Sequence, residues 1–324
     1  MAIVANTQTR YGQIGLRERL SNIIYDITPM ETPVVTAMGK SGTDQTIFEW
    51  QTDVLGAVDT GNAHIEGDDI SSFPATTPTS RVGNYTQISR KLVIVSGTVD
   101  RVNKAGRASE LAREVSRRGR EMKRDFEGIS LENLAGDAGG TATARQTATL
   151  GAWVKTNVDK EAGGGNPAYT SGVPSATRTD GTPRALTETM FKAVAQSMWT
   201  NGADLNAVTV YAGAHNKEVI SGFSGVVTRN FDISNTPKPT AVIAAVDVYV
   251  TDFGTVRIAA NRFQRGRDLW FIDPEYLSMR VLRPFQTIKL AKTGDAEKRM
   301  LLQEWGIQVS QEAGLGLVAD LTVA

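Results

Sequence analysis

The spacing of apolar positions changes along the chain, and each change predicts a different element. From 46 to 55 (TIFEWQTDVL) and from 85 to 97 (YTQISRKLVIVSG), β-branched and aromatic residues dominate, which predicts two strands. Between them, 56–84 is crowded with turn residues and has little to bury. The pair therefore reads as two strands that leave the body and end in a tip unable to pack on itself. From 104 to 135 the spacing becomes three-and-four: Ala108, Leu111, Val115, Met122, Phe126, Ile129 and Leu134 form one stripe, with Gly119 as its small member. That pattern predicts a spine helix of about 45–50 Å at ~1.5 Å per residue. Gly136 ends it, and Glu114/Arg118 and Lys123/Glu127 are expected as ion pairs on its wet side.

The first 45 residues read as an arm. Pro29 and Pro33 forbid a continuous helix, while Ile27, Val34, Val35 and Met38 require a surface, so an extended segment draped over the body is expected. Residues 136–183 are rich in Gly, Thr and Ala and read as a long loop with one buried piece, LGAWV at 150–154. A second amphipathic helix follows, with Met190, Phe191, Val194, Met198 and Trp199 inward and Asn201-Gly202 closing it. AVTVYAG at 207–213 is a continuous apolar run, as in a strand buried on both faces, and HNKEVISGF returns as a short helix. From 241 onward strands are expected in AVIAAVDVYV, TVRIAA, DLWFID, YLSMRVL, FQTIKLA and RMLLQEWGIQVS. The fold class is α+β, with an α/β module set inside a longer chain.

Composition narrows the function. A chain of 324 residues with 40% hydrophobic and 22% charged residues is long enough for a large core and unlike a disordered chain. It has no Cys, which removes disulfides and thiolate chemistry. No apolar run approaches 18 residues and the N-terminus lacks the order of a signal peptide, so a soluble, non-exported protein is expected. The formal net charge of zero hides a split. Residues 41–80 carry seven acids and no Lys or Arg, whereas 78–124 carry twelve bases against four acids. Adjacent blocks of opposite sign suit either two solvated faces or surfaces that meet another copy.

Motifs for chemistry fail one by one. DTG at 59–61 lacks the apolar strand of an aspartic protease and reads as a turn. DFG at 252–254 has no phosphate loop or HRD segment beside it and reads as a turn between strands. Asn84-x-Thr86 would matter only in a secreted protein. His64 and His215 are the two histidines and cannot build a histidine-rich zinc site. Glu66, Asp68 and Asp69 lack the spacing of a calcium loop, and no G-x-S-x-G elbow exists. The expectation is no enzyme, no metal and no cofactor. Trp50, Trp153, Trp199, Trp270 and Trp305 read as core or interface residues.

The order of arm, hairpin, spine helix, α/β module and returning strands resembles the major capsid proteins of tailed double-stranded-DNA bacteriophages, the HK97-like fold. Several stretches are similar to its SU10-type branch: DITPMETPVVTAMGK, FEWQTDVL, SGTVDRVNKAGRASELAREVSRRGREMKRDFE, DLWFIDPEYLSMRVLRPF and LAKTGDAEKRMLLQEWG. The resemblance spans nearly the whole chain and is weakest over 137–183. It implies an N-terminal arm at 1–45, an E-loop at 46–98 and a peripheral domain with the spine at 99–184. It further implies an axial domain at 185–260 and returning strands at 261–324. It implies hexamers and pentamers closing into an icosahedral head around packaged DNA, in a virion made in a bacterial cytoplasm. Scaffolding, portal and decoration proteins are further partners it suggests, with no membrane. Scaffolding would be separate or already removed, since the arm begins almost at Met1. Lys91 lies on the E-loop, but no Asn and Glu partners match those of crosslinking members, so no crosslink is expected. Intersubunit contacts are expected at Trp50, Asp53, Glu66, Asp68, Asp69, Arg90 and Lys91. Arg113, Arg117, Arg120 and Arg124 are expected to face the lumen and touch DNA phosphates without reading sequence. The alternatives are an encapsulin-type compartment, a tail or baseplate protein, and a hydrolase built on surface carboxylates.

Overall fold

The computed structural model of the chain describes residues 28–67, 73, 75–76, 78–103, 106, 108–223 and 247–323. The arm does lie on the body, with Val34, Val35 and Met38 buried. It does so through one helical turn, α1 (Pro33–Ala37), where an extended segment was expected. Pro33 occupies the start of that turn, where its fixed φ favours a helix and its missing N–H costs nothing. Strand β1 (Gly39–Gly42) follows.

The two predicted strands both form, but they do not pair with each other. β2 (Ile47–Thr52) pairs antiparallel with β3 (Ser80–Tyr85), from Ile47 opposite Tyr85 to Thr52 opposite Ser80. β4 (Gln87–Ser96) joins the body, where it pairs with a strand some two hundred residues later. After a single turn, α2 (Gly97–Arg101), comes the spine α3 (Glu110–Ser130). The spine is shorter than the periodicity predicts at both ends. At its start the Ser109 side chain accepts from the Ala112 N–H, a cap that fixes the first turn there. At its end the backbone of 132–134 bonds instead to 149–151, so those residues cannot continue the helix. Glu127 is a second correction: it lies fully buried, not on the wet side.

The 136–183 loop holds the predicted buried piece, α4 (Leu150–Trp153), all of it buried. It also contributes β5 (Val158–Asp159) and a small clip of β6 (Tyr169–Thr170) and β7 (Val173–Pro174). The module then runs α5 (Glu188–Thr200), β8 (Thr209–Ala212) and α6 (Ala214–Ser221). Phe191, Val194 and Met198 of α5 are buried as expected, but Trp199 is 53% exposed and stacks on Phe253. Strands β9 (Val248–Thr251), β10 (Gly254–Ala260) and β11 (Leu269–Ile272) follow. The DFG turn joins the antiparallel β9 and β10, as read from the sequence. β12 (Leu277–Lys289) is one strand where two were expected. It continues through Pro284 because register shifts on either side of Arg283 absorb the missing donor. β13 (Ala296–Val309) and β14 (Leu315–Val318) complete the chain, and β14 had no counterpart in the sequence reading.

Two sheets result. One has the order β1-β12-β13-β4 and the other β5-β14-β11-β8-β10-β9. Two hydrophobic clusters flank the six-stranded sheet. Trp270 and Ile272 of β11 point into the cluster that holds α1, α3, α4 and β13; Leu269 and Phe271 point into the cluster under α5 and α6. This two-faced burial explains why β11 reads as an unbroken apolar run. Gly316 lets α5 approach the sheet: a Cβ there would meet Met198 Sδ at 2.6 Å.

Candidate assembly surfaces

The base of the β2–β3 hairpin is tightly tied to its own chain. Asn84, fully buried, donates through its amide to the carbonyls of Ala148 (2.9 Å) and Ile307 (2.6 Å) and accepts from the Ala148 N–H (2.8 Å). That burial also removes it as a glycan acceptor. One residue beyond β3, the Thr86 hydroxyl donates to Glu304 (3.1 Å), which also binds Arg145 and Arg283. The Gly83 N–H donates to the Gly172 carbonyl at the turn of the β6–β7 clip (3.2 Å). Trp50 belongs to this base: its indole N–H donates to the Ser310 carbonyl (3.2 Å) and its ring lies 5.4 Å from that of Trp153. A residue expected to face another subunit is thus engaged with its own core.

The tip is the opposite. Val54, Leu55, Val58, Ile65 and Phe73 are 79–93% exposed. Asp53, Asp59 and Glu66 are exposed beside them, while Asp68 and Asp69 lie outside the described residues. The Asp59 carboxylate accepts from the Gly61 N–H (2.8 Å), so DTG is a turn, as read. His64 is exposed in the same segment. Residues 53–79 carry five acids and no Lys or Arg. The sequence reading registered these acids and missed the apolar side chains, because turn residues dilute them.

A second surface lies on the four-stranded sheet. Val93 and Val95 of β4 are buried, and Lys91 forms an ion pair with Asp125 of α3 (2.5 Å), so the odd positions face the spine. The even positions face away: Ile88 (51% exposed), Arg90, Leu92 (57%) and Ile94 (66%). Leu92 is opposite Met300, and Met300 is opposite Ile288, which extends the apolar row across three strands. Arg90 and Lys298 rim it, Lys298 standing opposite Ile94. The signal was present in QISRKLVIVS, where apolar residues occupy both phases of the alternation.

The four arginines of the spine do not share one environment. Arg113 pairs with Glu110 and Glu114, both at 3.2 Å, and Arg117 with Glu114 (3.6 Å) and Glu121 (3.3 Å). Burial would raise the Glu121 carboxyl, but its hydrogen bond with Arg118 and the charges of Arg118 and Arg117 outweigh that and hold it below the ordinary range. Arg120 lies 3.3 Å from the Met30 sulfur, and Arg124 stacks on Phe263 at 5.1 Å. Arg117, Arg120 and Arg124 line one shallow cleft of about 120 Å³ with Thr28, Met30 and Glu121. Among the described residues, no group of His, Asp or Glu has metal-binding geometry, and no helix is long and apolar enough to cross a membrane.

The body, its projecting hairpin and its spine helix have the HK97-like fold of phage capsids. The chain matches the Cyanophage A-1(L) capsid asymmetric unit with a TM-score of 0.66, covering 95% of this chain and 97% of that one at 12% identity. It matches the mature capsid of bacteriophage PhiM1 with a TM-score of 0.55, covering 96% and 93% at 10% identity. A major capsid protein of Escherichia phage Phieco32 is 42% identical over 125 residues, which is 39% of this chain and 35% of that protein. The SU10 major capsid protein family matches residues 3–322, and the chain belongs to that family. It is a family of structural capsid proteins and not of enzymes.

Proposed function

We propose that this chain is the repeating subunit of a phage head, and that copies associate into hexamers and pentamers through the hairpin tip. The observation that carries the reading is complementarity. The tip has five exposed apolar side chains among acids, and the outer face of β4, β13 and β12 has an apolar row rimmed by Arg90 and Lys298. Among the described residues, no segment of the same chain covers either surface, and the tip of one copy lies across the sheet of the next. A heterologous contact of this type closes into rings when the rotation allows. Of the residues expected at the interface, Asp53, Glu66 and Arg90 remain in it. Trp50 and Lys91 act within the subunit instead.

The test is negative-stain imaging with light scattering on the same sample. Leu92→Asp with Ile94→Asp should leave a folded subunit that forms no shells. Arg90→Glu should reduce shell yield at low salt, and adding Glu66→Lys should restore part of it; normal shells in the Leu92/Ile94 variant would sink the reading. On the spine, Arg124 is the better candidate for contact with packaged DNA, because ion pairs along the helix occupy Arg113 and Arg117. Arg124→Gln should leave shells intact and lower genome retention. Full heads at normal yield would remove the DNA contact and leave the shell reading standing.

A further inference from the structure

The carboxylate of Glu127 is fully buried in the last turn of the spine, yet no cation among the described residues accompanies it. Its three partners come from two distant parts of the chain. The Val34 N–H donates to one oxygen (3.0 Å) and the Val35 N–H to the other (2.8 Å). Both are amides of the first turn of α1, which lack partners inside so short a helix. The Asn261 side-chain amide, just past β10, donates to the first oxygen as well (2.6 Å). Asn261 is itself placed by its backbone N–H, which donates to the Ala212 carbonyl at the end of β8 (2.9 Å), and by its side-chain Oδ1, which accepts from the Phe263 N–H (2.9 Å). One carboxylate thus joins the arm, the spine and the ends of β8 and β10 in the six-stranded sheet.

We propose that Glu127 is a latch for the arm: it holds α1 and β1 on the body, and it sets a single release point at which the arm can leave while both cores stay folded. The asymmetry of its surroundings supports this. Burial pushes the carboxyl above the usual glutamate range despite the three donors, so little is left over to compensate the loss of any one of them. If the arm lifted, two of the three donors would go with it and a buried charge would remain with Asn261 alone. That state is unstable until water or another donor reaches the carboxylate, which makes arm release switch-like and not gradual. The contacts below the latch are of a different kind. Val34, Val35 and Met38 pack by apolar contact, and β1 adds four parallel pairs to β12; neither strands a charge when broken.

The test is amide hydrogen exchange on the full chain, read separately at Val34–Val35, at β1 and at β8 and β13. Glu127→Gln keeps the shape but turns a donor toward the Val35 N–H. Exchange at Val34 and Val35 should rise roughly ten- to a hundred-fold, with β1 following and with β8 and β13 unchanged. Asn261→Ala should give a smaller rise at the same amides, since it removes the support from the far side. Unchanged exchange at Val34 and Val35 in Glu127→Gln would overturn the proposal. So would a uniform rise across all the strands, which would make Glu127 an ordinary core residue. Should Glu127→Gln fail to fold, that too counts against a latch separable from the cores, and Asn261→Ala would then be expected to raise exchange everywhere.

Discussion

The two ends of the β2–β3 hairpin are built on opposite principles. At the base nearly every polar group has a partner in the same chain: Asn84, Thr86, Glu304, Arg145 and Trp50 join the hairpin to β13 and the residue after it and to the 136–183 loop. At the tip, apolar and acidic side chains stand in solvent. The difference teaches that projection and rigidity are compatible. A tip can reach for another molecule with a defined aim only if its base is over-determined by its own subunit.

That contrast can be broken from the base first. Arg178 is 2% exposed and bonds Asp268 at 2.7 Å, while its backbone pairs with Asn133 and so holds the loop carrying the clip. Arg178→Ala would leave the buried Asp268 with only the longer contact to Arg265 (3.5 Å) and should lower subunit stability by about 3 kcal/mol, measured by denaturant unfolding of the unassembled protein. Asn84→Ala strands the Ala148 N–H and two carbonyls and should cost about 2–3 kcal/mol, with the largest local effect at the hairpin base by hydrogen exchange. Sharpening comes from the tip: Leu55→Ser with Val58→Ser should change subunit stability by less than about 0.5 kcal/mol, yet reduce shell yield. A matching loss of stability at the tip would mean that the two ends are not distinct after all.

Much of this architecture was legible because it is local. The apolar stripe of α3, the buried run LWFI and the short piece LGAW each declare themselves by spacing alone. What was illegible depends on partners remote in sequence. β4 reads as the mate of β2 from proximity, whereas its true neighbour, β13, supplies ten paired positions from Ala296 to Trp305. Glu127 reads as one half of a surface pair because i,i+4 spacing with Lys123 is the only local information; its burial follows from Val34, Val35 and Asn261, which no helical wheel includes. The apolar outer face of β4 was visible as a broken alternation, but which phase faces solvent depends on where α3 lies.

The pairing of β4 with β13 has a consequence in time. Residues 87–96 find their neighbours only after residues 296–305 have been synthesised, and Trp50 waits for Ser310. Contacts this distant in sequence form late. During translation the hairpin base therefore lacks its anchors, and the tip has no fixed direction until the last strands arrive. A nascent chain therefore carries no aimed tip before it is complete, so the order of synthesis sets when the hairpin acquires its direction.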